Sequence, residues 1–314
     1  MAFNGNTGTK TEQMKKVYAV IVTYNAMPWI DRCLGSLKKS EMKVSAVVVD
    51  NNSKDGTVDH IRKHWPDTKL FVENKNHGFG QANNIGIRHA LEQGADYILL
   101  LNQDAWIAPD MLTELIPHDD GRTVLSPMHL NGAGDALDKN FKYCSVERSG
   151  HASLLQNDTL LQTGNALCEA DEICAACWLL PRNVVEMIGG FNPLFFHYSE
   201  DVNYQHRIHY HGMRMAWKQG TYVCHDRAFR PRQKVKYILV RQELVLRAAD
   251  INQSVLKAVF CNMRYAMGVL HSAFIYREPQ AIWYLIKALF YVLWHCREIG
   301  RSRKTEKTSG RHWL

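Results

Sequence analysis

The sequence predicts an α/β fold in which a mostly parallel central sheet is followed by a helical extension. Apolar, β-branched runs at 17–23, 44–49 and 97–101 alternate with segments of helical periodicity, a pattern typical of buried parallel strands joined by helices. From residue 233 onward the strand-like runs stop and long amphipathic helices follow. We therefore expect an α/β domain with a helical region behind it.

The elements of the first third follow in regular order. Strands alternate with helices, and turn or capping residues such as Ser53 and Gly94 separate them. Right-handed crossovers would place the strands side by side in one sheet. The predicted elements are strand 17–23, helix 29–39, strand 44–49, helix 58–64, strand 69–72, helix 81–93 and strand 97–101.

Beyond residue 128 the pattern is less regular. Residues 128–163 are rich in Gly, Asn and Asp, and we interpret them as an insertion near the site. The later predicted elements are strand 173–180, helices 182–188 and 200–211, strands 213–217 and 221–224, and helices 233–249, 255–275 and 280–300. The predicted organisation is a flexible N-terminus (1–16), an α/β domain (17–230), amphipathic helices (231–300) and a basic tail (301–314).

The composition excludes several classes of protein. The 314 residues are 46% hydrophobic and 22% charged, without a repeat or a long biased tract, which excludes a fibrous, solenoid or wholly disordered chain. Residues 1–16 lack the pattern of a secretion signal, and no apolar run has the length of a simple membrane span. With 8 scattered cysteines, these features indicate the cytoplasm.

The net charge of +7 is distributed unevenly. Residues 227–314 carry 17 Lys and Arg against 5 Asp and Glu, whereas the rest of the chain is slightly acidic. The basic, apolar helices suit an anionic membrane surface, although packing on the α/β domain or on a second subunit explains their apolar faces equally well. We expect no nucleic-acid partner, because the aromatic residues there have helix-core spacing.

Polar residues follow three of the predicted strands. They are Thr23-Tyr24-Asn25, Asp50-Asn51-Asn52 and Asn102-Gln103-Asp104. The carboxyl ends of parallel strands meet at one edge of a sheet, where open α/β sheets bind nucleotides. The sequence therefore predicts a nucleotide site at this edge.

Three further features have both a chemical and a structural explanation. Asp104 suits a divalent cation that a diphosphate also binds, but it can instead cap a helix beginning at Pro109. The glycine-rich segment 76–86 suits close approach of backbone to a ligand, or a plain turn. Glu200 and Asp201 suit a general base in a partly apolar pocket, or carboxylates that stabilise a helix N-terminus.

Five motifs, taken in order, resemble a known family. They lie at 20–25, 48–57, 76–86, 100–104 and 189–202. Together they resemble the family 2 inverting glycosyltransferases of the GT-A fold, especially the bacterial rhamnosyltransferase-like members that build surface polysaccharide. The resemblance covers 17–227 and implies the GT-A fold for that part of the chain.

The resemblance also implies roles for the matched residues. Asp201 would be the catalytic base, supported by Glu200. Asp104 and His225 would bind Mg2+ or Mn2+, with Asn102 in place of the first aspartate of the family's metal motif. The implied nucleotide-sugar site comprises Thr23, Tyr24, Asn25, Asp50, Asn52, Asp55, Asn76, Gly78, Phe79, Gly80, Asn83, Asn102, Gln103, Asp104, Cys177 and Trp178.

The implied reaction transfers a sugar, with inversion, from a nucleotide-diphosphate donor to a hydroxyl of a saccharide or lipid-linked acceptor. The resemblance favours dTDP-rhamnose as the donor and leaves UDP-sugars open. A lipid-linked acceptor would bring the enzyme to the inner face of the cytoplasmic membrane. A non-catalytic sugar-nucleotide binder would fit the Asn102 difference, and a polyanion-binding protein would fit the basic helices, but the Glu200-Asp201 pair favours the enzyme.

Overall fold

The structure is a computed structural model, and it describes residues 15–156, 164–227 and 236–314. Within these described ranges, nine strands form one sheet. They are β1 (Val17–Thr23), β2 (Val44–Asp50), β3 (Lys69–Val72), β4 (Tyr97–Leu101), β5 (Ala105–Ile107), β6 (Thr123–Asn131), β7 (Leu167–Glu169), β8 (Cys177–Pro181) and β9 (Arg214–His225). The strand order is β3-β2-β1-β4-β8-β6-β9-β5, and β7 pairs with β9.

The first half of the sheet is parallel, which confirms the predicted fold. β1 lies between β2 and β4 and runs parallel to both. Thr23 is level with Asp50 in the β1–β2 register, so the ends of these two strands coincide. This register brings the polar residues after each strand to the same edge.

The second half of the sheet is mixed. β8 runs antiparallel to both of its neighbours, β4 and β6. The two strands predicted at 213–217 and 221–224 are one strand, β9, because the irregularity at Gly220 (φ 83°) is accommodated by a register shift opposite Pro127 and Met128 of β6. The sheet is therefore less parallel than the sequence pattern indicates.

Helices cover both faces of the sheet and form the C-terminal region. They are α1 (Ile30–Lys38), α2 (Thr57–His64), α3 (Phe79–Glu92), α4 (Met111–Leu115), α5 (Lys139–Phe141), α6 (Arg182–Ile188), α7 (Glu200–Tyr210), α8 (Tyr237–Ala249), α9 (Val255–Ile275), α10 (Pro279–Trp294) and α11 (Cys296–Glu306). The helix predicted at 280–300 is thus two helices that meet at His295. In the parts of the chain that the structure describes, no helix has the length and hydropathy needed to cross a membrane.

The core consists of one apolar cluster on each face of the sheet. Successive residues of a strand point to opposite faces, so Trp178 and Leu180 pack with α3, α6 and α7, whereas Cys177 and Leu179 pack with α1. Both faces are covered, which is why β4 and β8, at the centre of the sheet, are apolar at every position.

The C-terminal segment, which includes the predicted basic tail (301–314), packs on the α/β domain. Glu306, at the end of α11, is buried and accepts hydrogen bonds from the side-chain amides of Asn192 (2.6 Å) and Asn203 (2.9 Å). Farther on, the backbone N–H of Gly310 donates to the carbonyl of Met187 at 2.8 Å. The predicted boundary near residue 230 and most of the predicted flexible N-terminus lie outside the described residues.

Candidate active site

The C-terminal ends of β1, β2 and β4 meet at one polar edge. The Thr23 hydroxyl donates to Oδ2 of Asp50 over 2.8 Å, which joins β1 to β2. The side chain of Gln103, just beyond β4, accepts from the backbone N–H of Tyr24 at 2.7 Å and donates to its carbonyl at 3.3 Å. Hydrogen bonds therefore hold the three strand ends together.

Asp50 lies beneath this edge rather than at its surface. Its side chain is fully buried, and its carboxylate also accepts from the backbone N–H (2.9 Å) and hydroxyl (2.5 Å) of Ser53. Thr23 is equally buried. In this structure both residues therefore position the edge instead of lining the nucleobase pocket as the resemblance implies, and Tyr24, 49% exposed, is the side chain that the edge presents.

Asn25, Asn52 and Asp55 shape the two loops at this edge. The backbone N–H of Lys54 donates to Oδ1 of Asn25 at 2.8 Å, and Nζ of Lys54 donates to Oδ1 of Asn52 at 2.5 Å. Asp55 accepts from the backbone N–H of Met27 at 3.1 Å. Asn25 (φ 54°) and Asn52 (φ 69°) adopt the left-handed conformation that Asn tolerates, so the loops turn tightly.

Asn51 connects the polar edge to the glycine-rich segment 76–86. Its side chain donates to the carbonyl of Gly78 at 3.1 Å and accepts from the backbone N–H of His77 at 2.8 Å. Oδ1 of Asn76 accepts from the N–H of Gly78 at 2.8 Å. The sequence places Asn51 among the polar residues after β2 but gives it no individual role, because an amide that bonds only to backbone has no distinguishing local signal.

The glycine-rich segment then packs against the residues before α7. A Cβ on Gly80 would stand 2.8 Å from Cβ of Phe191, so only glycine fits there. Asn83 is buried and donates to the carbonyl of Phe79 at 3.0 Å. Of this segment, Phe79 lines the cavity described next, and Asn76, Gly78, Gly80 and Asn83 shape the backbone around it.

A cavity of about 300 Å³ opens beside the polar edge, at the start of α7. Tyr198 (φ 70°) and Ser199 (φ 68°) both adopt the left-handed conformation immediately before the helix, a rare pairing for non-glycine residues that turns the chain sharply into α7. The cavity is lined by Phe79, Asn102, Asn140, Cys144, Glu172, Ile173, Cys174, Ala175, Ala176, His197, Glu200, Asp201, Gln205 and Arg227.

Glu200 and Asp201 share this cavity but differ in environment. Burial, reinforced by the neighbouring Asp201 carboxylate, raises the pKa of Glu200 to about 8. Burial also raises the pKa of Asp201, but the backbone N–H of Val202 donates to its Oδ1 at 2.9 Å and favours the charged form. Burial thus raises the pKa of both carboxyl groups, and the hydrogen bond from Val202 makes Asp201 suited to act as the base beside Glu200.

Arg227 supplies a positive charge that sequence reasoning missed. It lines the cavity, and its charge lowers the pKa of Asp201, in opposition to burial. Its Nε lies 3.6 Å from Oδ2 of Asp138, a buried carboxylate. Only the fold brings Arg227, two residues beyond β9, to the start of α7, so no local pattern could have identified it.

Asp104 and His225 lie together, as the resemblance implies. Oδ1 of Asp104 is 3.4 Å from Nε2 of His225, and Nδ1 of His225 is 4.0 Å from Oδ2 of Asp138. The second distance is longer than a hydrogen bond, and among the described residues the buried Nδ1 of His225 has no hydrogen-bond partner. Within the described ranges, no three His, Cys, Asp or Glu side chains form a group that could hold a metal ion.

Asn102 also contributes to the cavity. Its backbone N–H donates to the carbonyl of Ala176 at 3.0 Å, which fixes the start of the 102–104 turn. Among the described residues its buried Oδ1 has no hydrogen-bond partner. Burying such an oxygen unpaired is costly, so this amide is available to a donor group of a ligand.

Cys177 and Trp178 do not line the cavity, contrary to expectation. Both are fully buried, since they belong to β8 and point into the cores on the two faces of the sheet. The cavity wall is made instead by the preceding residues, Cys174 to Ala176. The sequence predicts that this strand starts at residue 173, but it starts at Cys177. The residues that line the cavity therefore precede the strand.

Comparison with known proteins supports the family resemblance. The family model described as Glycosyl transferase family 2 matches residues 18–163. The N-acetylglucosaminyl-diphospho-decaprenol L-rhamnosyltransferase of Mycobacterium tuberculosis is 26% identical over 231 residues, 67% of this chain and 75% of that protein. These matches support a family 2 glycosyltransferase of the rhamnosyltransferase-like branch.

A second curated protein and a solved structure are also similar to the chain. The dTDP-rhamnosyl transferase RfbF of Shigella flexneri is 28% identical over 182 residues, 55% of this chain and 56% of that protein. The crystal structure of GalNAc-T7 with UDP, GalNAc and Mn2+ superposes with a TM-score of 0.54 at 16% identity, over 76% of this chain and 51% of that chain. The latter likeness concerns the fold alone and confirms a GT-A-like architecture.

Proposed function

We propose that this glycosyltransferase moves a sugar from a nucleotide-diphosphate donor to a hydroxyl of a saccharide or lipid-linked acceptor, with inversion at the anomeric carbon. The observation that carries the proposal is the Glu200–Asp201 pair in the cavity beside the polar strand ends. Among possible donors we favour dTDP-rhamnose, because the relatives in M. tuberculosis and S. flexneri are named as rhamnosyltransferases. UDP-sugars are the alternative donors.

Asp201 is the proposed base. Its carboxylate, held by the N–H of Val202, can accept the proton of an acceptor hydroxyl as that oxygen attacks the anomeric carbon. The bond to the diphosphate breaks on the opposite face, so the product has the inverted configuration. Glu200, as an acid, can donate a hydrogen bond to the acceptor sugar and orient it.

The negative charge of the leaving diphosphate requires local stabilisation, since the part of the chain before residue 227 is slightly acidic. Arg227 is the positive side chain that the structure places in the cavity, and we propose that it contacts the diphosphate. Asp104 and His225 would hold Mg2+ or Mn2+, in keeping with the Mn2+ in the GalNAc-T7 structure. Such an ion, when bound, neutralises charge on the diphosphate.

A screen of nucleotide sugars for thermal stabilisation tests the proposal. We expect dTDP-rhamnose to raise the Tm, more so with Mn2+, and other sugar nucleotides to raise it less. NMR of the product formed on a saccharide acceptor would then show an anomeric configuration opposite to that of the donor. Stabilisation by none of the nucleotide sugars, or a product with retained configuration, would refute the proposal.

The cysteines support a cytoplasmic location, which we also propose. All eight are free thiols in the structure, although Cys144 and Cys174 line the same cavity. Proteins that keep scattered thiols unpaired are typical of reducing compartments.

A further inference from the structure

The hairpin of α9 and α10 exposes a large apolar surface. The residues that the 21-residue helix α9 buries are two alanines, Ala258 and Ala273. Its larger apolar side chains lie outside, including Leu256 at 83% and Phe274 at 85% exposure, and Trp294 at the end of α10 is 86% exposed. The hairpin's exposed large apolar residues are Val255, Leu256, Val259, Phe260, Met263, Met267, Leu270, Phe274, Ile275, Tyr276, Ile282, Trp283, Ile286, Leu289, Phe290, Leu293 and Trp294.

These side chains form continuous stripes rather than scattered contacts with water. On α9 the stripe runs through 256, 260, 263, 267, 270 and 274, which are three or four residues apart and so lie on one helix face. On α10 it runs through 283, 286, 290 and 293 with the same spacing. A contiguous apolar area of this kind marks a binding surface, because soluble proteins rarely leave one open.

The charged residues around the apolar stripes indicate which kind of partner binds to α9 and α10. Between residues 251 and 297 the sequence holds one acidic residue, Glu278, and the exposed basic residues Lys257, Arg264, Arg277 and Lys287 flank the apolar stripes. A second copy of the chain would bring like charges together on this face, which is unfavourable. An anionic lipid surface would instead pair with them, and Trp and Tyr side chains favour the boundary between water and lipid.

The hairpin is firmly joined to the candidate active site through α8. Side-chain amide Nε2 of Gln242 donates to the carbonyl of His197 at 3.2 Å, three residues before Glu200. Phe195 packs in one apolar cluster with Val245 and Leu246 of α8. A surface that holds the hairpin would therefore also fix the position of the cavity relative to that surface.

We propose that the apolar face of α9 and α10 is an interfacial membrane-docking surface that binds anionic bilayers without crossing them. The inference of docking rests on the exposed stripes and the charge, and is independent of the proposed reaction. Its functional consequence rests on the proposed function: docking would place the cavity beside the head group of a lipid-linked acceptor.

Vesicle flotation of the full-length protein tests the proposal. Vesicles of phosphatidylcholine alone are compared with vesicles containing one third phosphatidylglycerol, at low and high salt. We expect at least tenfold more protein on the anionic vesicles, and a triple variant, Phe260→Gln, Phe274→Gln and Phe290→Gln, to lose at least tenfold of that binding. A matched variant on the α/β domain, Val72→Gln and Met187→Gln, replaces exposed apolar residues elsewhere and should bind like the unaltered protein.

Separate measurements distinguish the ways in which docking could fail. Absence of binding to anionic vesicles, or equal binding by the triple variant, would overturn the proposal, as would ultracentrifugation showing a stable dimer that the triple variant dissociates. Circular dichroism and the Tm would show that the triple variant is folded. Its transfer to a water-soluble acceptor should be unchanged, so failure of vesicle binding with intact transfer would contradict docking alone.

Discussion

The carbonyl oxygen of Phe196 lies directly against Cα of Gly78. A Cβ on Gly78 would stand 1.8 Å from that oxygen, far inside van der Waals contact. The glycine-rich segment is thereby interlocked with the residues that lead into Glu200 and Asp201. The wall beside the polar edge and the proposed base are thus positioned by the same contact.

Substitution of Gly78 should therefore lower activity far more than the strain of its positive φ alone would. Gly78→Ala introduces both positive-φ strain, about 1–2 kcal/mol, and a clash that displaces the 196–199 turn. Gly56→Ala is the matched control, because Gly56 also has a positive φ (90°) but has open space around its Cβ position. We expect Gly78→Ala to lower kcat/KM at least tenfold and Gly56→Ala to change it little.

Urea unfolding would show whether the two variants share the strain. Both should lower the free energy of unfolding, with the larger decrease for Gly78→Ala. Equal turnover by the two variants would contradict the interlocking of the segment with the α7 turn.

Particular elements show which parts of the fold and of the candidate site the sequence can predict. The β1, β2 and β4 runs are predictable because strands buried on both faces are apolar at every position, and their polar ends follow directly. The apolar pattern also locates the start of β8 only to within a few residues. It therefore does not show that Cys177 and Trp178 lie in the core rather than at the cavity wall. Contacts with residues distant in sequence position three further side chains, Arg227, Asn51 and the buried Glu306. No local sequence pattern predicts such contacts.

The pH dependence of transfer should have two limbs with different origins. On the acid side, kcat/KM should fall as Asp201 becomes protonated, and burial shifts this limb upward from the usual range of an aspartate. On the alkaline side, it should fall as Glu200 loses its proton near pH 8. Glu200→Gln keeps a hydrogen-bond donor that does not titrate, so the alkaline limb should disappear and the acid limb remain.

The pH dependence of the free energy of unfolding also reports on the titration of Glu200. The pKa of Glu200 is raised in the folded protein from 4.5 to about 8, so unfolding releases its proton between these values and stability declines as pH rises through this window. Glu200→Gln should remove this decline, which amounts to roughly 1 kcal/mol per pH unit. If the Tm of the variant and that of the unaltered protein changed with pH in the same way, the pKa of Glu200 would not be raised in the folded protein.

Loss of either proposed metal ligand should weaken metal-dependent donor binding. Asp104→Asn and His225→Gln each remove one of two groups that lie 3.4 Å apart. We expect calorimetry with Mn2+ and a nucleotide diphosphate to show at least about tenfold weaker binding for both variants. Asp226→Asn, next along the chain with its carboxylate on Trp29 Nε1, serves as the control. Unchanged Mn2+ dependence in both variants would exclude this pair as the site.

The docked C-terminal helix should contribute substantially to stability. Arg207 is buried, with Nε 4.0 Å from Oε1 of Glu306, and its other nitrogens donate to backbone carbonyls. Glu306→Ala leaves that guanidinium without its carboxylate, which should lower the free energy of unfolding by about 3 kcal/mol. Lys307→Ala, at an exposed neighbouring position, should change it little. A freely extending tail would make the two variants alike in denaturant unfolding.

The most direct test of the account is the effect of Asp201→Asn on transfer and on donor binding, measured with the same preparation. The amide preserves the size of the side chain and its place at the start of α7 but cannot accept the acceptor's proton. We expect the donor Kd by calorimetry to change less than threefold and kcat to fall by at least about a hundredfold, in line with the loss of a general base. Near-normal turnover by this variant would contradict the assignment of Asp201 as the base.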